Sequence, residues 1–406
     1  MIREESFLRK HFSEYYKKHP VQEPPEISQR EFGIGEFGKK ITQRHLVFSS
    51  QGEFNSFLQN SVPFFVSYST ALYAKPGARP MQAKEFLAGD IVYEFDADDI
   101  KTNCKQLHDS WKCPKCNAEG KGTIDFCTEC GSPVRKEQWF CNECLGEAKK
   151  QVFELKEFLE NDFSFSEGIS INFSGSAGYH VHLRGNAIKQ LPQTARIELL
   201  DYLTGNSLDL ESIGFFEKEK ALHCPKAGSL GWPKKILSGL REMIETQPIE
   251  KIAAIAGVRL TPNAKNFFEK KQAILQNMEK GVFLPFPGKK SSEFWRVLVN
   301  FVFEQKRLDI DRQTSIDLNK IIRVPETLHG GTGFVAKKIS FEGLKDFNAF
   351  NDALASESSE TVKVLIDKAP KFHLGREGFG PFRNSEAELP LNAAVFLLSK
   401  QKAQLV

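Results

Sequence analysis

Seven of the eight cysteines in this 406-residue chain lie between Cys104 and Cys144, at the spacing of metal ligands. Cys113-x2-Cys116-x10-Cys127-x2-Cys130 makes two knuckles, with Gly131 after the second. A C-x2-C turn puts two thiolates on one tight bend, and two such turns can close a tetrahedral zinc site with bonds of ~2.3 Å. Cys104-x3-His108 precedes this ribbon and Cys141-x2-Cys144 follows it, which makes a second set of four ligands. The economical arrangement is nested: an outer Cys104, His108, Cys141, Cys144 site whose loop is enlarged by the inner four-cysteine ribbon. Spacing alone also permits ligands to exchange between the sets. Four protein ligands close a site, so both read as structural zinc. The eighth cysteine, Cys224, reads as a small buried residue.

A second group of residues could handle phosphate. Alternation over Asp90–Asp99 predicts a strand with Glu94, Asp96 and Asp98 on one face. The two aspartates would then project about 7 Å apart, which suits two magnesium or manganese ions and phosphoryl transfer. The stretch Ser174-Gly175-Ser176-Ala177-Gly178 precedes His180 and His182. Its glycines allow a tight turn whose backbone N–H groups approach phosphate, and the two histidines share a strand face. Asp309, Asp311 and Asp317 are further candidate carboxylates, followed by Arg323, His329 and a Gly-rich turn. Together these describe nucleotidyl transfer, with carboxylates for metals and Arg, His and amides for phosphates. Gly33, Gly35 and Gly38 match a dinucleotide fingerprint in form only. A Pro-rich loop precedes them and Lys39-Lys40 follow, so they read as a hairpin.

The elements that position these groups follow from periodicity. Residues 1–19 predict an amphipathic helix ended by Pro20, and 146–163 predict another. Residues 168–185 predict two strands around the Gly turn, and the C-terminal LPLNAAVFLLSKQKAQL predicts a helix. The class is therefore α+β with two insertions: a catalytic core from 1–191 and 301–406, a zinc module at 104–144 within it, and a mostly helical subdomain at 192–300. Net charge is +3, from 55 Lys+Arg against 52 Asp+Glu, yet residues 231–290 alone carry 11 basic and 5 acidic residues. No run approaches the ~18–20 apolar residues of a membrane span. The charged N-terminus lacks the apolar core of a secretory signal. A cytoplasmic location is expected, where clustered cysteines bind metal in preference to forming disulfides.

The order of these motifs resembles the catalytic (small) subunit of archaeal and eukaryotic DNA primases, closest to the archaeal branch. The likeness rests on D-x-D on a strand, then a zinc knuckle, then SG-x-x-G-x-H, then D-x11-R-x5-H. REFGIGEFG with Arg44-His45 and the C-terminal LPLNAAVFLLSKQKAQ extend it over nearly the whole chain. It implies a primase-type mixed-sheet core with a zinc module and a helical insertion. It implies that Asp96, Asp98 and Asp311 hold two magnesium or manganese ions, with Asp309 the weaker candidate. Ser174, Gly175, Ser176, Gly178 and His180 match the nucleotide-binding turn, and Arg323 and His329 the triphosphate contacts. Cys104, His108, Cys141 and Cys144 match the family's zinc knuckle.

The implied activity is synthesis of RNA primers for replication on single-stranded DNA, from ribonucleoside triphosphates, with deoxynucleoside triphosphates as a second substrate class. The implied partner is a large subunit with an iron–sulfur cluster, and the implied place is the nucleoid. Two departures stand out. Ala177 replaces an arginine usual in the turn, and Gly331 stands where archaeal relatives often carry lysine. Two other readings compete: a repair or translesion primase-polymerase, and a non-catalytic zinc-ribbon DNA-binding protein. The zinc knuckle and full-length likeness weigh against the first, and the intact aspartates against the second.

Overall fold

A computed structural model describes residues 2–219, 221–288 and 291–406, apart from the side chains of Gln313 and Thr314. Lys289 and Lys290, two of the basic residues counted in 231–290, lie outside the described residues. The chain is a mixed α/β protein that divides into two compact units. The first takes Met1–Val152, Glu167–Arg196 and Asp309–Val406, and the second takes Phe153–Ser166 and Ile197–Leu308.

Two four-stranded antiparallel sheets organise the first unit. One has the order Ile321–Arg323, Phe65–Ser69, Phe32–Glu36, Lys39–Leu46. The other has the order Lys338–Ile339, Ile169–Phe173, Gly178–Leu183, Ile91–Asp96. The glycine motif near the N-terminus is indeed a hairpin. A Cβ on Gly35 would lie 2.2 Å from the Lys39 carbonyl oxygen, so only glycine lets the strands close there.

The sheets are linked by a buried polar cluster. His182 Nδ1 pairs with the Tyr68 hydroxyl at 3.1 Å and Nε2 with Asn172 Oδ1 at 2.8 Å. Arg184 donates to the Tyr68 hydroxyl at 2.8 Å. His182 is thus a satisfied core residue, not the second anion contact that its spacing from His180 predicts. Both ring nitrogens already have partners, as a buried imidazole requires.

Helix Ile2–Lys18 buries Leu8, Phe12, Tyr15 and Tyr16. Helix Leu391–Ser399 is apolar almost all round and buried to match. It packs beside a third sheet of Phe382–Pro390, Thr361–Ala369 and Ala403–Leu405. No helix among the described residues is long and apolar enough to cross a membrane.

The second unit is mostly helical among the described residues, with a short strand pair, Glu217–Lys218 with Ala221–Leu222. Helices Trp232–Thr246 and Ser291–Lys306 meet where Gly239 faces Val302, and a Cβ on Gly239 would lie 2.5 Å from Val302 Cγ1. Phe267, Phe286, Phe294 and Trp295 pack together as an aromatic core. Cys224 is buried here with its thiol on the Met278 carbonyl oxygen.

Candidate active site

The strand carrying the paired aspartates is Ile91–Asp96, shorter than alternation predicts. It ends because the Ala97 N–H makes its ladder bond to Ala177 O and the chain then turns. The Asp98 N–H donates to Asp96 Oδ1 at 3.0 Å, and the Asp99 N–H to Asp96 O. Asp98 is therefore not on the strand face beside Asp96. An aspartate side chain that accepts a bond from the amide two residues on makes a turn of its own, and this turn presents both carboxylates to one cavity.

That cavity, about 380 Å³, lies between the two four-stranded sheets. One sheet contributes Ser67 and Ile321–Arg323, and the other Glu94–Asp96 and Gly178–His180. Ser174, Ser176 and His329 complete the phosphate-type lining. Among the residues singled out from sequence, Asp96, Asp98, Ser174, Ser176, Gly178, His180, Arg323 and His329 all meet here. Gly175 reaches the site through His329: it has φ +82°, and a Cβ on it would lie 2.7 Å from His329 Cβ.

The Gly turn differs from its expected use in one respect. The Ser176 and Gly178 N–H groups both donate to Ser174 Oγ, at 3.2 Å each. Those two amides are already satisfied within the turn. A hydroxyl that accepts twice still has its proton to give, so the Ser174 O–H is the donor left for a ligand.

The electrostatics are those of an anion beside a cation site. Burial, then the neighbouring charge of Asp96, raises the Asp98 carboxyl to about 6. A divalent cation relieves both causes, and hard carboxylate oxygens are its preferred donors. Asp311 is exposed at the head of helix Arg312–Ile316, outside the cavity wall. Its charge is nonetheless felt by Asp99, whose carboxyl is raised by burial, then by Asp96 and Asp311. The Asp309 amide is tied to Gln151 Oε1 at 3.0 Å, and the Asp317 carboxylate caps its own turn at Asn319.

On the phosphate side, Arg323 lies over the Phe65 ring at 5.0 Å and donates to Val66 O at 3.3 Å. Its Nε is buried without an acceptor, as is Nδ1 of His180. Burial, then the Arg323 charge, lowers His180 to about 3. The same two causes hold His329 well below the usual range. The Gly331 N–H donates to His329 Nδ1 at 3.2 Å, which leaves the proton of a neutral ring on Nε2.

The cysteines gather as two sets of four: Cys104, His108, Cys141, Cys144, and Cys113, Cys116, Cys127, Cys130. A tetrahedron with ~2.3 Å bonds has edges of about 3.8 Å. Observed separations are 3.5 Å for Cys113–Cys130, 3.6 Å for Cys116–Cys127 and 3.8 Å for Cys141–Cys144. His108 Nε2 is 3.1 Å from Cys144 Sγ, and its Nδ1 pairs with Asp109 Oδ1 at 2.8 Å. A carboxylate on the far ring nitrogen is the usual support of a zinc-bound histidine. Both sets are consistent with zinc. The outer set also touches the paired aspartates, because Lys105, next to Cys104, donates from Nζ to Asp98 O at 2.7 Å.

Sequence reasoning gave no site role to three lining residues, Glu94, Lys320 and Lys40. Glu94 shares the Asp96 face, and its alternation was visible. Lys320 stands 4.0 Å from Glu94 Oε2, and Lys40 lines the opposite wall. Nothing in the local sequence marks either lysine, because each arrives by sheet topology.

Comparison with known proteins identifies the family. A family model described as DNA primase small subunit matches residues 124–341, over half of the chain. The DNA primase small subunit PriS of Methanothrix thermoacetophila is 29% identical, over 98% of this chain and 98% of that one. The protein of the same name from Nitrosopumilus maritimus is 26% identical over 98% of each chain. That from Archaeoglobus fulgidus is 26% identical over 98% of this chain and 97% of its own.

Proposed function

This chain belongs to the DNA primase small subunit family, and from that premise we propose how its residues perform the family's reaction. It is a nucleotidyltransferase that synthesises primers for replication. The observation that carries the residue assignment is the single cavity where Asp96, Asp98, Ser174, His180, Arg323 and His329 meet.

Asp96, Asp98 and Asp311 would hold two divalent cations, magnesium or manganese. When bound, these supply activation of the primer 3′-hydroxyl and stabilisation of the pyrophosphate leaving group. The protein's own groups do the rest. Gly178 brings the phosphate turn against the strand end at Asp96. The Ser174 hydroxyl and the neutral imidazoles of His180 and His329 bind the triphosphate as uncharged donors. Arg323 adds a fixed cation with a planar fork that matches phosphate oxygens. Lys320 and Lys40 add charge where the turn carries Ala177 in place of an arginine.

The nucleotide substrates are ribonucleoside triphosphates, with deoxynucleotides as a second class, on a single-stranded DNA template. The finer fold reading is the primase-type mixed-sheet core. A primase large subunit is the proposed partner. Zinc in the two Cys/His sets is structural, the inner ribbon stabilising the loop that the outer set closes.

The test is dinucleotide and primer synthesis on single-stranded DNA with manganese, with and without a large subunit. Wild type is expected to make product, and Asp96→Ala with Asp98→Ala to make none. Activity retained in that double variant would overturn the site assignment. An inactive wild type, under both conditions, would overturn the reaction.

A further inference from the structure

A second cavity, of about 900 Å³, adjoins the first and shares Lys40 and His329 with it. Its wall takes in the inner ribbon hairpin at Glu119–Lys121, Trp139, the His329–Gly331 loop and the C-terminal segment Ser399–Lys402. Seven of its lining side chains are Lys or Arg and three are Asp or Glu. The three acids are already answered. Glu119 pairs with Lys368 and Arg383, Glu137 with Lys402, and Asp109 with His108.

Lys400 has no such direct partner, and the charges of Asp98 and Asp109 reach it without an ion pair. Its Nζ stands over the rings of Trp139 at 4.7 Å, Phe140 at 5.3 Å and Phe396 at 5.7 Å. Among the described residues it has no hydrogen-bond acceptor and no ion-pair partner. Aromatic faces attract an ammonium but do not replace its lost hydration. Burial accordingly pushes its pKa down to about 8. Two more donors at this wall lack acceptors: Trp139 Nε1 and Ser399 Oγ, both on residues that are almost fully buried. A buried donor without an acceptor costs free energy, and an oxygen-rich anion restores what is missing.

Resting on the reading of the first cavity as the nucleotidyl-transfer site, we propose that the second is a polyphosphate-binding site with Lys400 as its central cation. It lies on the His329 side, and His329 binds the triphosphate in that reading. The ligand chemistry has two sources there, the tail of the incoming nucleotide and the pyrophosphate released from it. Lys400 is then a positioning residue for the nucleotide or a holding residue for the product.

The experiment titrates the full chain with sodium tripolyphosphate by calorimetry and measures primer synthesis in parallel. Lys400→Met, which keeps the stem over the aromatic rings, is expected to bind tripolyphosphate at least tenfold more weakly. Lys400→Arg is expected to stay within threefold of wild type. Turnover separates the sources. A raised KM for nucleotide with kcat within twofold identifies the nucleotide tail. A raised inhibition constant for pyrophosphate at unchanged KM identifies the product. Either supports the site.

Trp139→Phe, which removes the indole N–H and its second ring but keeps an aromatic face, is the second variant should Lys400→Met fail to fold, and weaker tripolyphosphate binding is expected of it. Asp96→Ala with Asp98→Ala should abolish synthesis and still bind tripolyphosphate, so the two readings fail separately. Unchanged tripolyphosphate affinity in folded Lys400→Met overturns the proposal and leaves a packing role. So does a loss confined to oligothymidylate, which would make the cavity part of a DNA strand path.

Discussion

Gly178 is the register partner of Asp96, and a Cβ on Gly178 would lie 2.9 Å from the Asp96 Cα and 2.2 Å from the Phe95 carbonyl oxygen. The atoms in the way are backbone, which cannot swing aside as a side chain can. The phosphate turn and the carboxylate strand therefore approach this closely only with glycine here. Gly178→Ala is expected to cost about 1–3 kcal/mol of stability and to lower primer synthesis at least a hundredfold, with every carboxylate intact. Gly146→Ala is the control. It lies in helix Asn142–Phe163, and a Cβ there meets nothing within 4 Å. That change should stabilise by about 0.5–1 kcal/mol and leave activity alone. Thermal melting with primer synthesis reads both, and equal behaviour of the two variants would remove the argument.

Lys105 Nζ holds the Asp98 carbonyl oxygen, so on the proposed assignment the outer Cys/His set would be coupled to catalysis. Metal analysis is expected to give two zinc ions per chain. Cys144→Ser should leave one, and should also depress primer synthesis, because helix Lys105–His108 then loses its anchor. Cys127→Ser should also leave one, but with activity within about threefold, since the inner ribbon packs around Trp111 and Cys113, away from Asp98. Lys105→Met separates the effects: zinc stays at two while synthesis falls. One zinc in the wild type, or full activity in Cys144→Ser, would contradict this.

How legible the site was depended on whether a residue's role is local. The two cysteine sets are visible because each knuckle is a short turn with ligands at fixed offsets. The turn at Ser174–Gly178 is visible for the same reason. Asp98 was placed wrongly because alternation has no way of reporting where a ladder ends. The strand stops at Asp96 on a cross-strand bond, Ala97 N–H to Ala177 O. His182 was misjudged because its partners, Tyr68 and Asn172, come from two other strands. Lys40, Lys320 and Lys400 are far apart in the chain and carry no motif. Only the sheet topology and the C-terminal helix bring them to the two cavities.

The buried histidines fix a pH dependence. Burial, then Arg323, holds His180 near 3; burial, then Arg184, holds His182 well below 6.5. Between the folded value and 6.5 the unfolded chain binds protons that the folded chain refuses. Stability is therefore full above 6.5 and is lost as pH falls from there toward 3. The melting temperature should drop between pH 7.5 and 5.5, and His180→Gln should reduce the slope. The KM for nucleotide should not fall on acidification from pH 7 to 6, where Lys400, near 8, is already charged and a neutral imidazole gains no charge. A KM that improves in acid would mean that His180 or His329 becomes cationic on binding.

Arg323 offers the most direct test of the phosphate side. The strand Ile321–Arg323 pairs with Phe65–Ser69, so the side chain leaves a fixed backbone position and lies along the Phe65 ring. Burial lowers its pKa to about 10, still far above working pH, so it remains a cation. One bond to Val66 O and a buried Nε without an acceptor leave most of its donors unspent. A hydrogen bond to a charged group is worth about 1.5–3 kcal/mol, roughly 10- to 150-fold in affinity. Arg323→Ala should raise the KM for nucleotide by that factor. Arg323→Lys should recover little of it, because an ammonium keeps the charge but loses both the planar fork and the stacking on Phe65. Melting curves must accompany the kinetics, since a collapse of the Phe65 contact lowers stability with no specific change in KM. Full recovery in Arg323→Lys would show that a point charge suffices, and the fork would then have no part in holding the triphosphate.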